Sequence, residues 1–184
     1  MGKVVSSTFV TLDGVMEAPE QWSFDFWSDE AGAYKHAELM ASDAMLLGRI
    51  TYEAFAAAWP TMTDDDGFAD RMNSLPKHVA STTLTEATWN ATVIESDLAD
   101  AVGKLGKATS GDILISGSAD LVNALILLGL IDEYRLMIFP VVIGSGKRLF
   151  AAGLAKTPLT LVETKSLPNG VVNLTYHPAG RKED

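Results

Sequence analysis

The segment Asp43-Ala-Met-Leu-Leu-Gly-Arg-Ile-Thr-Tyr-Glu53 joins an apolar strand to residues that can bind phosphate. The apolar run stops at Gly48, and a helix is predicted to begin directly after it. The start of a helix leaves backbone N–H groups unpaired at the positive end of its dipole. Arg49 and Thr51 add a guanidinium and a hydroxyl at the same place. The segment therefore predicts a phosphate site, although an ordinary strand–helix turn has the same pattern.

A second strand–helix junction, Gly117-Ser118-Ala119-Asp120, repeats this arrangement. Gly117 lets a ligand approach the backbone closely, and Ser118 is placed to cap the following helix. Two such helix starts on one sheet edge suit a dinucleotide better than a mononucleotide. Two routine turns remain the alternative. The first strand is not followed by GxGxxG, which disfavours a standard Rossmann site.

The loop Ser81-Thr82-Thr83 offers three hydroxyls after another predicted strand. Together with Arg49 these hydroxyls could hold a ribose 2′-phosphate. No acidic residue is evidently placed to bind an unphosphorylated 2′-hydroxyl. A polar surface loop is the alternative interpretation.

Size and charge narrow the class of protein. With 184 residues, 47% of them hydrophobic and 21% charged, the chain is typical of a globular protein, and we expect one domain over residues 1–184. The formal net charge of −10 argues against a nucleic-acid or membrane-surface binder, because both need a basic face. Neither nucleic acid nor membrane is therefore expected as a partner.

The chain has no cysteine, which excludes disulfides, thiolate catalysis and cysteine-ligated metals. His36, His78 and His177 have no metal-binding spacing, so we expect no metal site. The N-terminal residues lack the apolar run of a signal peptide, and residues 121–130 are too short to span a bilayer. We expect a cytoplasmic location.

Predicted strands and helices alternate along most of the chain, which implies a largely parallel sheet covered on both faces. Pro168-Asn-Gly170 is typical of the turn of a C-terminal antiparallel hairpin. Strands are predicted at residues 4–12, 44–47, 77–81, 92–94, 112–116, 134–143, 159–167 and 171–177. Helices are predicted at residues 28–40, 49–57, 68–73, 96–106 and 118–128.

In such a sheet, ligands bind beyond the carboxyl ends of the strands. Four predicted loops belong to that edge and should converge although they lie far apart in sequence. They are Asp13-Gly14, Gly48-Arg49, Ser81-Thr82-Thr83 and Gly117-Ser118.

Taken in order, these motifs resemble the dihydrofolate reductase-like superfamily, and more closely the C-terminal reductase domain of the riboflavin-biosynthesis (RibD) proteins. The resemblance covers roughly residues 3–177. It implies a three-layer αβα sandwich, NADPH as cofactor, and hydride transfer to a pyrimidine- or pteridine-like heterocycle. The matching motifs are Thr11-Leu-Asp-Gly14, Leu47-Gly-Arg-Ile-Thr-Tyr52, Lys77-His-Val-Ala-Ser-Thr-Thr83, Ile115-Ser-Gly-Ser118, Gly129-Leu-Ile-Asp-Glu-Tyr134 and Pro140-Val-Val-Ile-Gly-Ser-Gly146.

The resemblance also implies roles for single residues. Asp13 would border the nicotinamide and the substrate. The cofactor-binding residues would be Gly14, Gly48, Arg49, Thr51, Ser81, Thr82, Gly117, Ser118, Ala119, Asp120 and Leu121.

Reduction of a C=N bond also needs a proton, so a positioned acid is expected. Folate-reducing relatives use a carboxylate on the first long helix, which makes Asp25 and Asp29 candidate catalytic residues beside Asp13. Asp29 could instead simply favour the helix dipole. The candidate substrate-binding residues are Trp22 and Phe26, which could stack on a flat ring or pack in the core, and Gly146.

The sequence thus favours an NADPH-dependent reductase of a small heterocycle. By resemblance the first candidate substrate is 5-amino-6-(5-phosphoribosylamino)uracil and the second is dihydrofolate, while an unrelated imine or carbonyl compound stays open. The competing hypothesis is an NADPH- or nucleotide-binding protein without turnover. No deaminase segment precedes residue 3, so only the reductase step is expected. Resemblance and the antiparallel C-terminal edge suggest a homodimer.

Overall fold

A computed structural model describes residues 1–180 of the chain. Its strands are β1 (Val4–Thr11), β2 (Ser42–Gly48), β3 (Lys77–Ala80), β4 (Ala91–Ile94), β5 (Asp112–Ser116), β6 (Glu133–Phe139), β7 (Leu159–Ser166) and β8 (Val172–Pro178). Its α-helices are α1 (Asp29–Met40), α2 (Arg49–Ala58), α3 (Phe68–Ser74), α4 (Leu98–Ala108) and α5 (Ala119–Leu128).

All eight strands form one sheet in the order β4-β3-β2-β5-β1-β6-β8-β7. Strands β1 to β6 pair in parallel, and β8 joins β6 and β7 in antiparallel fashion. Asn169 and Gly170 both have positive φ in the turn between β7 and β8. These observations confirm the predicted mixed sheet with its C-terminal hairpin.

The helices cover both faces of the sheet. The connections through α1, α2 and α3 step toward β4, and those through α4 and α5 step the other way, so right-handed crossovers place the two groups on opposite faces. Two buried apolar clusters reflect this division. One contains Leu39, Tyr52 and Met72, and the other contains Val102 and Val122. The three-layer αβα sandwich is confirmed.

One predicted boundary is wrong. The strand expected to run over residues 134–143 ends at Phe139, directly before Pro140. Proline has no N–H to donate to a neighbouring strand, so the ladder stops there. Among residues 1–180, none of the helices is long and apolar enough to cross a membrane.

Candidate functional site

The loops that follow β1, β2, β3 and β5 lie along one edge of the sheet. Gly48 at the end of β2 is in register with Ala80 at the end of β3, and Ser7 of β1 is in register with Ser116 at the end of β5. The loops after β2 and β3 therefore begin side by side, and β1 continues four residues past the end of β5 to Thr11. The structure brings together two helix starts that are about seventy positions apart in sequence, with a direct hydrogen bond between Gly48 and Ser118.

Ser118 connects the two helix starts. Its Oγ accepts the N–H of Gly48 at 3.0 Å and donates to Oγ1 of Thr51 at 2.8 Å. The predicted cap of α5 by this side chain is wrong, because the hydroxyl reaches across to α2 instead. Ser118 itself is left-handed, with φ 61° and ψ 60°. A non-glycine residue in this region is strained, and its two hydrogen bonds hold it there.

Neither α2 nor α5 has a side-chain cap at its first turn. By contrast, Ser28 accepts the N–H of Ala31 at the start of α1, and Asp97 accepts the N–H groups of Ala99 and Asp100 at the start of α4. The two helices that meet at Ser118 therefore keep first-turn amides available at the positive ends of their dipoles. Such amides bind anionic oxygens.

Gly117 forms the floor between the two helix starts. Its φ is +64°, and a β-carbon at this position would lie 3.5 Å from Cε of Met16 and 3.9 Å from Oγ1 of Thr51. Its N–H donates to the carbonyl of Ser7 at 3.2 Å. A side chain here would fill the gap between the β1 loop and α2. Glycine leaves this gap open, so a ligand can approach the backbone closely.

Arg49 lies exposed at the start of α2. Its Nη1 contacts the two carboxylate oxygens of Glu53 at 3.0 and 2.9 Å. An exposed pair of this spacing contributes at most about 0.5 kcal/mol, so a phosphate dianion can displace Glu53 from the guanidinium. At the start of α5, Asp120 is exposed and pairs with Lys147 at 2.5 Å.

The other predicted cofactor-binding residues differ in how exposed their side chains are. Ser81 follows β3, and its Oγ accepts the N–H groups of Thr83 and Leu84 at 3.2 and 3.0 Å, which orders its own loop. Thr82 is exposed. Ala119 and Leu121 are buried in α5, so they can offer a ligand only their backbone.

Asp13 holds the β1 loop to the loop after β6. Its carboxylate accepts the N–H groups of Gly144 and Ile143 at 2.8 and 3.3 Å and the hydroxyl of Thr11 at 2.6 Å. These hydrogen bonds, that of Thr11 above all, lower the pKa of Asp13 to about 2. Asp13 is therefore ionised at neutral pH and has no proton to donate.

Two glycines assigned by resemblance belong to the same pair of loops. The carbonyl of Gly14 accepts the N–H of Leu149 at 3.0 Å. At Gly146 the φ is +115°, and a β-carbon would lie 2.9 Å from Val15. Both glycines therefore keep the loops after β1 and β6 in close contact.

The remaining predicted residues lie between β1 and the first turn of α1. Asp25 is exposed on a short 3-10 turn, and Asp29 is exposed at the first position of α1. Trp22 is buried, with its ring 5.4 Å from that of Phe139 in an edge-to-face arrangement. Phe26 is half-buried against the same phenylalanine. The two rings thus pack in the core, which is the alternative that the sequence left open.

Sequence reasoning missed a buried polar cluster beneath α1. Lys35 and Glu38 of α1 meet Ser7 of β1, and Arg135 of β6 lies on the far side of Glu38. The only available signals were the spacing of three between Lys35 and Glu38 on one helix face and a serine within an apolar strand. Both patterns are common on surfaces, so they do not identify a cluster without the fold.

Comparison with known proteins agrees with this architecture. The RibD C-terminal domain family profile matches residues 2–173. The uncharacterized protein YyaP of Bacillus subtilis is 32% identical over 178 residues, which cover 95% of this chain and 94% of YyaP.

Two solved structures show the same fold at low identity. A pyrimidine reductase-like protein from Corynebacterium diphtheriae is 14% identical, with a TM-score of 0.71 and coverage of 98% of this chain and 93% of the other. Dihydrofolate reductase from Enterococcus faecalis, solved with NADP(H), is 16% identical, with a TM-score of 0.61 and coverage of 97% of both chains. By its sequence, this chain belongs to the RibD C-terminal domain family.

Proposed function

We propose that this protein is an NADPH-dependent reductase of a small, flat heterocycle. The observation that carries the proposal is the pair of uncapped helix starts at α2 and α5, tied together by Ser118 and separated by Gly117. Two anion-binding helix starts beside a glycine floor match the pyrophosphate of a dinucleotide.

The chain's own residues fit this cofactor. The amide at Arg49 and those at Ala119 and Asp120 would hold the phosphates, with Arg49 and Thr82 near the 2′-phosphate. When bound, the reduced nicotinamide supplies the hydride. The protein would orient the two reacting rings and exclude water from between them.

Relatives support the proposal at the level of the reaction class. The Enterococcus faecalis neighbour is a dihydrofolate reductase solved with NADP(H), and the Corynebacterium diphtheriae neighbour is described as pyrimidine reductase-like. We propose 5-amino-6-(5-phosphoribosylamino)uracil as the first substrate to test, dihydrofolate as the second, and other imines or carbonyl compounds as the third group.

The test has two steps. Thermal melting with NADPH, with NADH and without cofactor measures binding, and loss of the near-ultraviolet absorbance of the reduced nicotinamide measures turnover with each substrate. Stabilisation by NADPH together with its oxidation supports the proposal. Stabilisation without oxidation by any substrate favours a binding protein without turnover, and no stabilisation by either cofactor refutes both functions.

Arg49→Ala should weaken NADPH much more than NADH. A charge-assisted contact to the 2′-phosphate is lost only for NADPH, and we expect a decrease of about 10-fold or more in NADPH affinity with less than about 3-fold for NADH. Isothermal titration of both cofactors measures the two values. Glu53→Gln is the matched control, because it frees Arg49 from its partner and should leave NADPH binding equal or tighter. Equal losses for both cofactors in Arg49→Ala would contradict the assignment to the 2′-phosphate.

We further propose that the chain forms a homodimer through β7 and the adjoining end of α5. β7 is the edge strand, and its Leu161 and Val162 are about half exposed. Leu127 of α5 is 70% exposed, and Phe150, in the segment between β6 and β7, is 43% exposed. An edge strand next to exposed apolar side chains favours pairing with another chain.

Leu161→Lys should therefore disrupt self-association. Light scattering after size exclusion is expected to give twice the mass of the chain for the wild-type protein and a single chain for this variant, because a buried lysine would be unpaired at the interface. Met62→Lys, at an exposed position outside β7 and α5, is the control and should stay dimeric. A monomeric wild-type protein at micromolar concentration would rule the dimer out.

A further inference from the structure

Lys35 occupies an unusual position for a lysine. Its Nζ donates to Oγ of Ser7 at 2.7 Å and pairs with Oε2 of Glu38. Only 15% of the Lys35 side chain is exposed, and only 2% of the Glu38 side chain. Burying an ion pair this deeply carries a desolvation penalty, so it is weak evidence for a purely stabilising role.

The surrounding groups fix the direction of Nζ. The hydroxyl of Ser7 accepts from Lys35 and donates to Oε2 of Glu38 at 2.9 Å, so both of its roles are used. On the other side, Nη1 of Arg135 lies 3.6 Å from Oε1 of Glu38. Glu38 is thereby held between two cations and in turn holds Lys35. A functional group gains precision when its supporting partners are locked in this way.

One donor of Lys35 remains available. An ammonium has three N–H groups, and within residues 1–180 the only hydrogen-bond acceptors of Nζ are Oγ of Ser7 and Oε2 of Glu38. Nζ lies 5.5 Å from the centre of the Phe9 ring. The Phe9 ring is in turn 5.8 Å from the ring of Trp27, which is 37% exposed. A flat ring placed against these aromatic side chains would find the third N–H within reach.

This cluster is continuous with the proposed cofactor site. Ser7, whose side chain binds Lys35, accepts the N–H of Gly117 through its own carbonyl at 3.2 Å. One residue of β1 therefore joins the ammonium to the glycine floor between α2 and α5. A ring that contacts Lys35 would lie beside a cofactor bound at Gly117.

We propose that Lys35 is a substrate-binding residue that donates its third N–H to a carbonyl oxygen of the substrate ring. This inference rests on the proposed function for the identity of the neighbouring cofactor. It assigns the substrate class as a planar heterocycle that carries a carbonyl acceptor, and it disfavours rings that present amino groups or a positive charge at that position.

Two probes of the same ring system test the proposal. Lumazine carries carbonyl oxygens at the two positions where 2,4-diaminopteridine carries amino groups. Titrations with and without NADP⁺ should show that the wild-type protein binds lumazine about 10-fold or more tightly than the diamino compound. Lys35→Met should lose about 10-fold or more of the lumazine affinity, the effect of one hydrogen bond from a charged donor, and should not weaken the diamino compound. Lys104→Met, at an exposed position of α4, is the matched control and should behave as wild type.

A second measurement uses the wild-type protein, since Lys35→Met leaves Glu38 short of a partner and could unfold. Lumazine with NADP⁺ should protect Lys35, and not Lys104, from acetylation as measured by peptide mass spectrometry. The proposal is overturned if the wild-type protein binds neither probe, if it prefers the diamino compound, or if lumazine leaves Lys35 unprotected. Failure of NADP⁺ to bind would instead refute the proposed function, because the probes are also titrated without it.

Discussion

Gly117→Ala is expected to remove most of the NADPH affinity while the protein stays folded. The new β-carbon would occupy the space between Met16 and Thr51, where the proposed pyrophosphate approaches the backbone. We expect affinity to fall about 30-fold or more, which is about 2 kcal/mol. Because φ at Gly117 is +64°, the substitution also strains the backbone by about 1–2 kcal/mol. Isothermal titration with NADPH and urea unfolding measure the two effects separately.

Gly129→Ala is the control that separates the effect of backbone strain from the steric exclusion of the cofactor. Gly129 ends α5 with φ +66°, close to the φ of +64° at Gly117, and a β-carbon there would have no neighbour within 4 Å. This control should lose similar stability and less than about 2-fold in NADPH affinity. If the two alanine variants bound NADPH equally well, the floor at Gly117 would not be a cofactor contact.

The positions of the two helix starts could be predicted because their signals are local. An apolar run that ends at Gly48 or at Gly117 marks the end of a strand and the start of a helix in the sequence itself. Parallel strands joined by helices then place both glycines at the same edge. The location of both glycines at this edge follows from the topology of the sheet, so it can be predicted without knowing individual side-chain contacts.

The interactions across elements could not be predicted in the same way. Ser118 looks like an ordinary helix cap, but its hydroxyl bonds to residues about seventy positions away because its backbone is left-handed. Trp22 looks equally suited to a ligand or to the core, and only the position of Phe139 decides for the core. In both cases the deciding partner is distant in sequence, so the local pattern alone does not determine which contact forms.

The same limit applies to charged residues, whose usual place is the surface. Arg135 lies in a strand, and nothing in the sequence around it indicates an ion pair. It nevertheless contacts three carboxylates. Its Nε donates to Glu133 at 2.6 Å, its Nη2 pairs with Asp112 at 2.9 Å, and its Nη1 lies 3.6 Å from Glu38. Glu38 pairs with both this guanidinium and Lys35. The same charge network therefore stabilises the sheet and positions the proposed substrate-binding lysine.

Arg135→Met should therefore be the most destabilising of the substitutions considered. Removing the guanidinium takes a shared cation away from Glu38, Asp112 and Glu133, which are largely buried. Breaking a buried ion pair costs about 3–5 kcal/mol. Urea unfolding at neutral pH measures the change in the free energy of unfolding. Arg49→Met is the matched control, because its exposed pair with Glu53 contributes at most about 0.5 kcal/mol.

The pH dependence of the stability lost in Arg135→Met distinguishes the contribution of the guanidinium charge from that of the packing of the arginine stem. Burial alone would raise the pKa of Glu133, but the charge of Arg135, with hydrogen bonds from Arg135 and His177, leaves that pKa below its ordinary value. A carboxyl with a lowered folded pKa stabilises the fold above its unfolded pKa of about 4.3, and this contribution disappears as pH falls through the folded value. The difference between wild type and Arg135→Met should thus be largest at neutral pH and shrink on acidification. A difference that stays constant from neutral pH to pH values below about 4 would assign the effect to packing of the arginine stem instead.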